Sequence, residues 1–242
     1  MEQLWFTALL NRLFGVPVLH LMLALGIHPK HELRPISNSF AMEFLVVLLL
    51  TLFFIAVRMR LSVDSPGGLQ HSMESIEGFF GNMGNEIIGH HYHRYHAYLV
   101  ALGLFILSCN LIGIIPGFES PTAVPIVPLG CALLTWFYYH YQGLRSNGFG
   151  YFKHFMGPVW WLAPLMLPIE IFSHTARLLS LTVRLFANMF AGEMVTLVFF
   201  SLVPIGVPII FEGLHIGVSL IQTYIFVILA CVYLSEATAH EH

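Results

Sequence analysis

From Pro168 to Val203 the chain reads PIEIFSHTARLLSLTVRLFANMFAGEMVTLVFFSLV. As one helix this stretch is on the order of 50 Å long, well beyond a hydrocarbon core of about 30 Å. Pro168 suits the first helical position, where its missing N–H costs nothing. Pro204, Gly206 and Pro208 then interrupt the run, and a second apolar segment follows from about Ile209 to Ala237. Two long apolar helices joined by a breaker cluster predict an antiparallel hairpin that tilts in the bilayer or extends beyond it.

The rest of the chain agrees with a membrane setting. Of 242 residues, 57% are hydrophobic and only 10% charged, against about 25% charged in an ordinary soluble domain. Mean hydropathy is +0.78. Too few charges exist to cover a water-facing surface, and a net charge of −3 implies no attraction to nucleic acid. Cys109, Cys131 and Cys231 sit inside apolar runs and form no disulfide framework or zinc spacing. The expected fold is therefore an all-α polytopic membrane protein in a single integral domain, residues 1–242. Five transmembrane helices are expected, at 41–57, 97–115, 124–141, 168–203 and 209–237. Residues 1–38 form an N-terminal interfacial segment. Its helix, about 5–27, is expected to break or kink at Gly15 and Pro17, and Lys30 to Asn38 is a polar connector. Acidic Glu2 and the absence of a small-residue cleavage site argue against a signal peptide there. Between the first two spans, Met73, Ile76, Phe79, Phe80, Met83 and Ile87 recur at helical spacing and predict an amphipathic interfacial helix. Arg58, Arg60, Arg94, Arg145 and Lys153 lie in two connecting segments that should be cytoplasmic. That puts the N-terminus outside and the C-terminus inside, although Lys30 and Arg34 pull the other way.

Ionisable groups inside a bilayer cost about 2.5–3.5 kcal/mol each on insertion scales, so they are the informative residues. The fourth span carries Glu170, His174, Arg177, Arg184, Asn188 and Glu193; the fifth carries Glu212, His215 and Gln222. At 100° per residue, Glu170, Arg177, Arg184 and Asn188 fall within about 40° of one face, and Glu193 lies about 180° from Arg184. His215, Ser219 and Gln222 share a face of the fifth span. With Arg184 at mid-membrane, Glu170 lies about 21 Å toward the cytoplasm and Glu193 about 13 Å toward the outside. His215 comes to the depth of Glu193, which favours a proton path through the two. Titratable groups then lead in from each surface toward a permanent cation. Plainer readings compete: Arg177 as a snorkelling arginine, Glu170 as a carboxylate on a helix N-terminus, Gln222 as an interhelical hydrogen-bond partner. Arg184, flanked by Leu181, Val183, Leu185 and Phe186, is too deep to snorkel easily. The run His90, His91, His93, His96 lacks Cys or carboxylate partners at ligand spacing and is read as interfacial, with no metal assigned.

The run from Arg184 to Glu193, RLFANMFAGE, resembles the most characteristic motif of subunit a of the F-type ATP synthases. Pro168-Ile-Glu170, Ser173-His174, Ser180-Leu181, His215, Gln222 and Tyr233-Leu234-Ser235 fit the same pattern, and Asn110 to Gly117 resembles its second span. The resemblance runs from about Ala41 to the C-terminus. It implies a proton-translocating stator subunit beside a rotating ring of c subunits. Arg184 would face the ring carboxylates. Glu193, Asn188, His215 and Gln222 would belong to an outer half-channel, and Glu170 to a cytoplasmic one. The implied partners are the c-ring, the b subunits of the peripheral stalk, lipid, and protons, with Na+ the alternative ion. The implied location is a bacterial plasma membrane. ATP chemistry would occur elsewhere in the complex, since the chain carries no phosphate-binding Gly-rich loop, and no cofactor is implied. A proton-coupled secondary transporter is the rival, but no interrupted spans recur in corresponding halves. A structural membrane subunit with incidental charges is the second rival.

Overall fold

The structure is a computed structural model and describes residues 4–24, 26, 35–62, 67–115, 117–148, 150–151, 161, 163–202 and 206–238. Most of the Lys30–Asn38 connector, Lys153 and the Pro204 turn lie outside the described residues, as do the side chains of His90 and His91.

Every described element is a helix. In chain order they are α1 (Trp5–Ala24), α2 (Asn38–Met59), α3 (Gly68–Ile88), a 3-10 turn (Gly89–Arg94), α4 (His96–Ile112), a short 3-10 turn (Pro121–Ala123), α5 (Ile126–Asn147), α6 (Ala163–Leu202) and α7 (Val207–Thr238). An all-α polytopic membrane fold is the result. By length and composition α1, α2, α6 and α7 can each cross a bilayer; α4 is apolar but shorter.

The helix boundaries follow from local chemistry. Ser37 caps α2, its Oγ accepting from the Phe40 N–H at 3.3 Å. Gly148, at φ +55°, closes α5 in a conformation that a side chain would disfavour. Two expectations need correcting. α1 runs unbroken through Gly15 and Pro17. Pro17 removes a single ladder bond, whereas ending the helix in an apolar medium would strand several backbone groups. α6 starts at Ala163, so Pro168 lies inside it rather than at its first position. There the proline forfeits one bond near the helix start, and the apolar residues on either side carry the helix past it.

The core lies where α3, α4, α5 and α6 meet α7. Leu99 and Ile106 of α4, Tyr139 of α5, Leu185 and Met189 of α6, and Phe226, Ala230 and Leu234 of α7 pack in one cluster. α7 is the central element: Ser219, Thr223, Phe226, Val227, Ala230, Cys231 and Leu234 are all buried along it. α5 and α7 approach so closely at Gly143 that a β-carbon there would stand 2.9 Å from the Ala237 carbonyl oxygen. α1 and α2 form a flank, joined where the Asn11 amide donates to the Ile36 carbonyl and accepts from the Ile36 N–H at 3.1 and 3.0 Å. Large apolar side chains face outward on α1, α2, α6 and α7, an arrangement suited to lipid.

α6 is 40 residues long, about 60 Å. Because α7 runs antiparallel to it, residues at either end of α6 meet opposite ends of α7. This sets the depth at which polar groups of the two helices can meet.

Candidate functional site

The polar residues of α6 fall into three levels. At the level of Glu170, the His174 Nε2 lies 3.2 Å from the Glu170 carboxylate, one helical turn along. The buried Tyr139 hydroxyl on α5 lies 2.8 Å from His174 Nδ1, with the two rings stacked. Next to them, His140 Nδ1 and the Tyr151 hydroxyl are 2.7 Å apart. Arg177, on the same level, donates two hydrogen bonds to Glu236 of α7, at 2.6 and 2.9 Å, with its guanidinium over the Tyr233 ring. Arg177 therefore does not snorkel to water; it is held in a bidentate ion pair.

At the middle level stands Arg184. Its guanidinium donates to the Ser180 hydroxyl at 3.2 Å, and no carboxylate pairs with it among the described residues. Around it, Ala176, Ser180, Ala187 and Ala191 line the outward face of α6 with small side chains. One turn on, the Asn188 amide donates to Gln222 Oε1 of α7 at 2.8 Å.

At the far level Glu193 points away from the Arg184 face, as its position on the helix requires. Its carboxylate accepts from the Ser120 N–H at 3.0 Å. The Ser120 hydroxyl donates to the Cys109 carbonyl at 2.9 Å, and Thr122, bonded to it, reaches Asn110 at 2.7 Å. His215 is buried on α7, its ring packed on Gly192. A β-carbon at Gly192 would sit 3.6 Å from that ring, at ordinary van der Waals distance. A cavity of about 240 Å³ opens between Asn188, Gly192, Thr196, Leu214 and His215. No hydrogen bond joins Glu193 to His215 among the described residues. Among the described residues, the carboxylates of Glu119 and Glu212 lie near Glu193, and that of Glu212 lies near His215. Buried polar atoms without a partner among the described residues gather at this level, Asn110 Nδ2, Thr196 Oγ1, Glu212 Oε2 and His215 Nε2, with Gln222 Nε2 below them beside Asn188. Such groups are ordinarily satisfied by water.

All six residues singled out from the sequence thus line the α6–α7 hairpin. The structure joins Asn188 to Gln222 and Glu170 to His174. It leaves Arg184 open and gives Glu193 a backbone partner. The sequence reading missed Tyr139, His140, Tyr151, Ser120 and Glu236. Paired aromatic and histidine residues at a span's polar end, Tyr139 and His140, were the available signal for the first two. In the histidine-rich turn, His96 bonds Glu77 at 2.9 Å and the Tyr92 hydroxyl. Burial pushes the Tyr92 phenol up to about 12, which keeps it a donor to His96. Among the described residues no three His, Cys, Asp or Glu side chains converge as metal ligands.

Fold and site together define an integral membrane protein with a long helical hairpin that carries an arginine between two clusters of titratable side chains. A sequence profile of the family described as ATP synthase A chain matches residues 40–235. The chain belongs to the ATP synthase subunit a family. It is 64% identical over its whole length to ATP synthase subunit a of Koribacter versatilis (strain Ellin345), covering 99% of that protein. It is 52% identical to ATP synthase subunit a of Solibacter usitatus (strain Ellin6076), over 87% of this chain and 91% of that one. With ATP synthase subunit a 1 of Syntrophotalea carbinolica the identity is 45%, over 82% and 85% of the two chains.

Proposed function

We propose that this chain is the stationary proton-conducting subunit of a rotary ATP synthase. It works against a ring of c subunits, each carrying a membrane carboxylate, and is held by the b subunits of a peripheral stalk. It performs no ATP chemistry itself. One observation carries the reading: Arg184 stands at mid-helix on an outward face, hydrogen-bonded to Ser180 and with no carboxylate partner among the described residues. An arginine at that depth is costly unless a partner meets it. The row of small residues flanking Arg184 lets another helix approach closely.

Protons enter from outside at the level of Glu193 and His215. The unpartnered polar atoms and the cavity beside His215 supply a wet path down to Asn188 and Gln222. There a ring carboxylate takes a proton and turns away from Arg184. The carboxylate that arrives next loses its proton toward Glu170 and the cytoplasm, because the guanidinium favours its ionised form. A fixed cation between the two paths also repels a proton that would cross directly. The membrane is a bacterial plasma membrane. The basic residues Arg58, Arg60, Arg94 and Arg145 face the cytoplasm, with the N-terminus outside and the C-terminus inside.

The test is contact with the ring. Chains carrying Ala191→Cys in a background free of Cys109, Cys131 and Cys231 should co-purify with the c-ring and crosslink to a cysteine placed beside its carboxylate. Failure to co-purify would return the chain to the transporter or structural-subunit readings. Labelling of Ser146→Cys from the outer side alone would reverse the orientation.

A further inference from the structure

The same three residue types occur together twice: Tyr92, His96 and Glu77 around α3, and Tyr139, His174 and Glu170 between α5 and α6. In each, one imidazole nitrogen meets a phenol and the other a carboxylate. The second set contains a residue placed above on the proton path. We propose that His174 and Tyr139 are positioning residues for Glu170, holding its carboxylate in one orientation so that a single oxygen takes and releases the proton. This rests on the reading of Glu170 as the cytoplasmic-side carboxylate.

The argument begins with the tautomer. With Glu170 ionised, an unprotonated Nε2 would set a lone pair against the carboxylate at 3.2 Å. Nε2 therefore carries the hydrogen and donates to Oε1. Nδ1 is then an acceptor, and the Tyr139 hydroxyl 2.8 Å away donates to it. Tyr139 is 1% exposed, so its ring cannot swing away without disturbing the core. The result is a chain from a rigid phenol through an imidazole of fixed tautomer to one carboxylate oxygen. Oε1 is committed to His174 in both protonation states of Glu170, and Oε2 is left as the oxygen where the proton lands.

The charged and titratable neighbours do not replace this contact. On α6 and α7, Arg177 and Glu236 neutralise each other in their bidentate pair. Tyr233 of α7 lies under that guanidinium. On α5, the His140 ring is 4.8 Å from that of His174, and its Nδ1 is engaged by Tyr151.

The experiment uses the assembled ATP synthase in proteoliposomes. ATP-driven proton pumping is measured against pH on the cytoplasmic side for Glu170→Gln, His174→Ala, His174→Gln and Tyr139→Phe. His174→Ala should slow pumping by about fivefold, the equivalent of one net hydrogen bond. It should also displace the midpoint of the pH profile by about half a unit or more. His174→Gln should restore both, because its amide can donate to Oε1 and accept from Tyr139. Tyr139→Phe loses one oxygen, so it keeps the test decisive where His174→Ala fails to assemble; it should displace the midpoint as well. If Glu170→Gln is impaired but Tyr139→Phe and the assembled His174 variants keep the wild-type midpoint, or lose rate equally at every pH, His174 and Tyr139 are structural and the inference is wrong. If Glu170→Gln itself pumps normally, the reading of Glu170 has failed first.

Discussion

Arg177 and Arg184 lie two turns apart on one face of α6, yet their surroundings differ completely. Arg177 is gripped by Glu236 through two short hydrogen bonds and rests on Tyr233. Arg184 is bonded to Ser180 and otherwise faces outward. Spacing along a helix assigns a face; the neighbouring helix assigns the partner. α7 reaches Arg177 with a carboxylate, but at the level of Arg184 it offers only neutral groups. One arginine is therefore satisfied within the chain, and the other, in the proposed function, is held for something outside it.

The largest test of that contrast is removal of Arg184. Arg184→Ala should cut gradient-driven ATP synthesis in proteoliposomes by about two orders of magnitude or more, as loss of a central electrostatic group does. Thermal unfolding of the purified complex should stay close to wild type. Arg184→Lys should fail to couple as well, since a lysine lacks the planar fork and can lose its charge when buried. Near-normal synthesis by assembled Arg184→Ala complexes would falsify the role given to it.

The contrast can also be erased by giving Arg184 what Arg177 has. Ser180→Glu puts a carboxylate one turn away, where a side chain already reaches the guanidinium. Synthesis should fall by about tenfold or more, as the new carboxylate competes with the ring for the arginine. Unchanged synthesis in this variant would mean that the open state of Arg184 is not needed.

At Arg177 the opposite pattern is expected. Arg177→Ala should retain most of its activity but destabilise the complex by about 1 kcal/mol, because Glu236 is 45% exposed and water screens the pair. The exchange Arg177→Glu with Glu236→Arg should recover part of that loss in a double-mutant cycle. Loss of coupling with stability intact would move Arg177 into the conduction path.

The smallest effect concerns Asn188 and Gln222. A double-mutant cycle with Ala at each position should give a coupling of about 0.5 kcal/mol in unfolding, the low end of what one neutral hydrogen bond is worth. A coupling near zero would mean that each residue meets water or the ring instead.

Much of this arrangement was legible in the residues themselves. Apolar length marked out α2, α4, α6 and α7, and the helical period put Arg184 and Glu193 on opposite faces. Partners distant in the chain were not legible. Glu236 stands 59 positions from Arg177 and comes beside it only because α7 runs back along α6. Ser120 meets Glu193 through its backbone N–H, a donor that every residue except proline possesses, so no side chain announced it. Depth matched Glu193 with His215, but depth does not fix azimuth, and each found another neighbour. Pro168 and Pro17 misled for one reason: a proline's cost is local, and membrane helices offset it with the apolar residues around it.

The Glu193 contact with Ser120 and the Arg177 contact with Glu236 have a mechanical consequence. They tie α6 to the rest of the protein on either side of Arg184, at points about 24 Å apart along the helix. A rod clamped near both ends bends far less under a sideways load at its middle than one fixed at a single end, and its deflection grows steeply with the free length. In the proposed function a passing ring would push sideways at that middle. Loosening either clamp would let the guanidinium yield with the load, so that torque is lost as flexure before any proton has been miscounted.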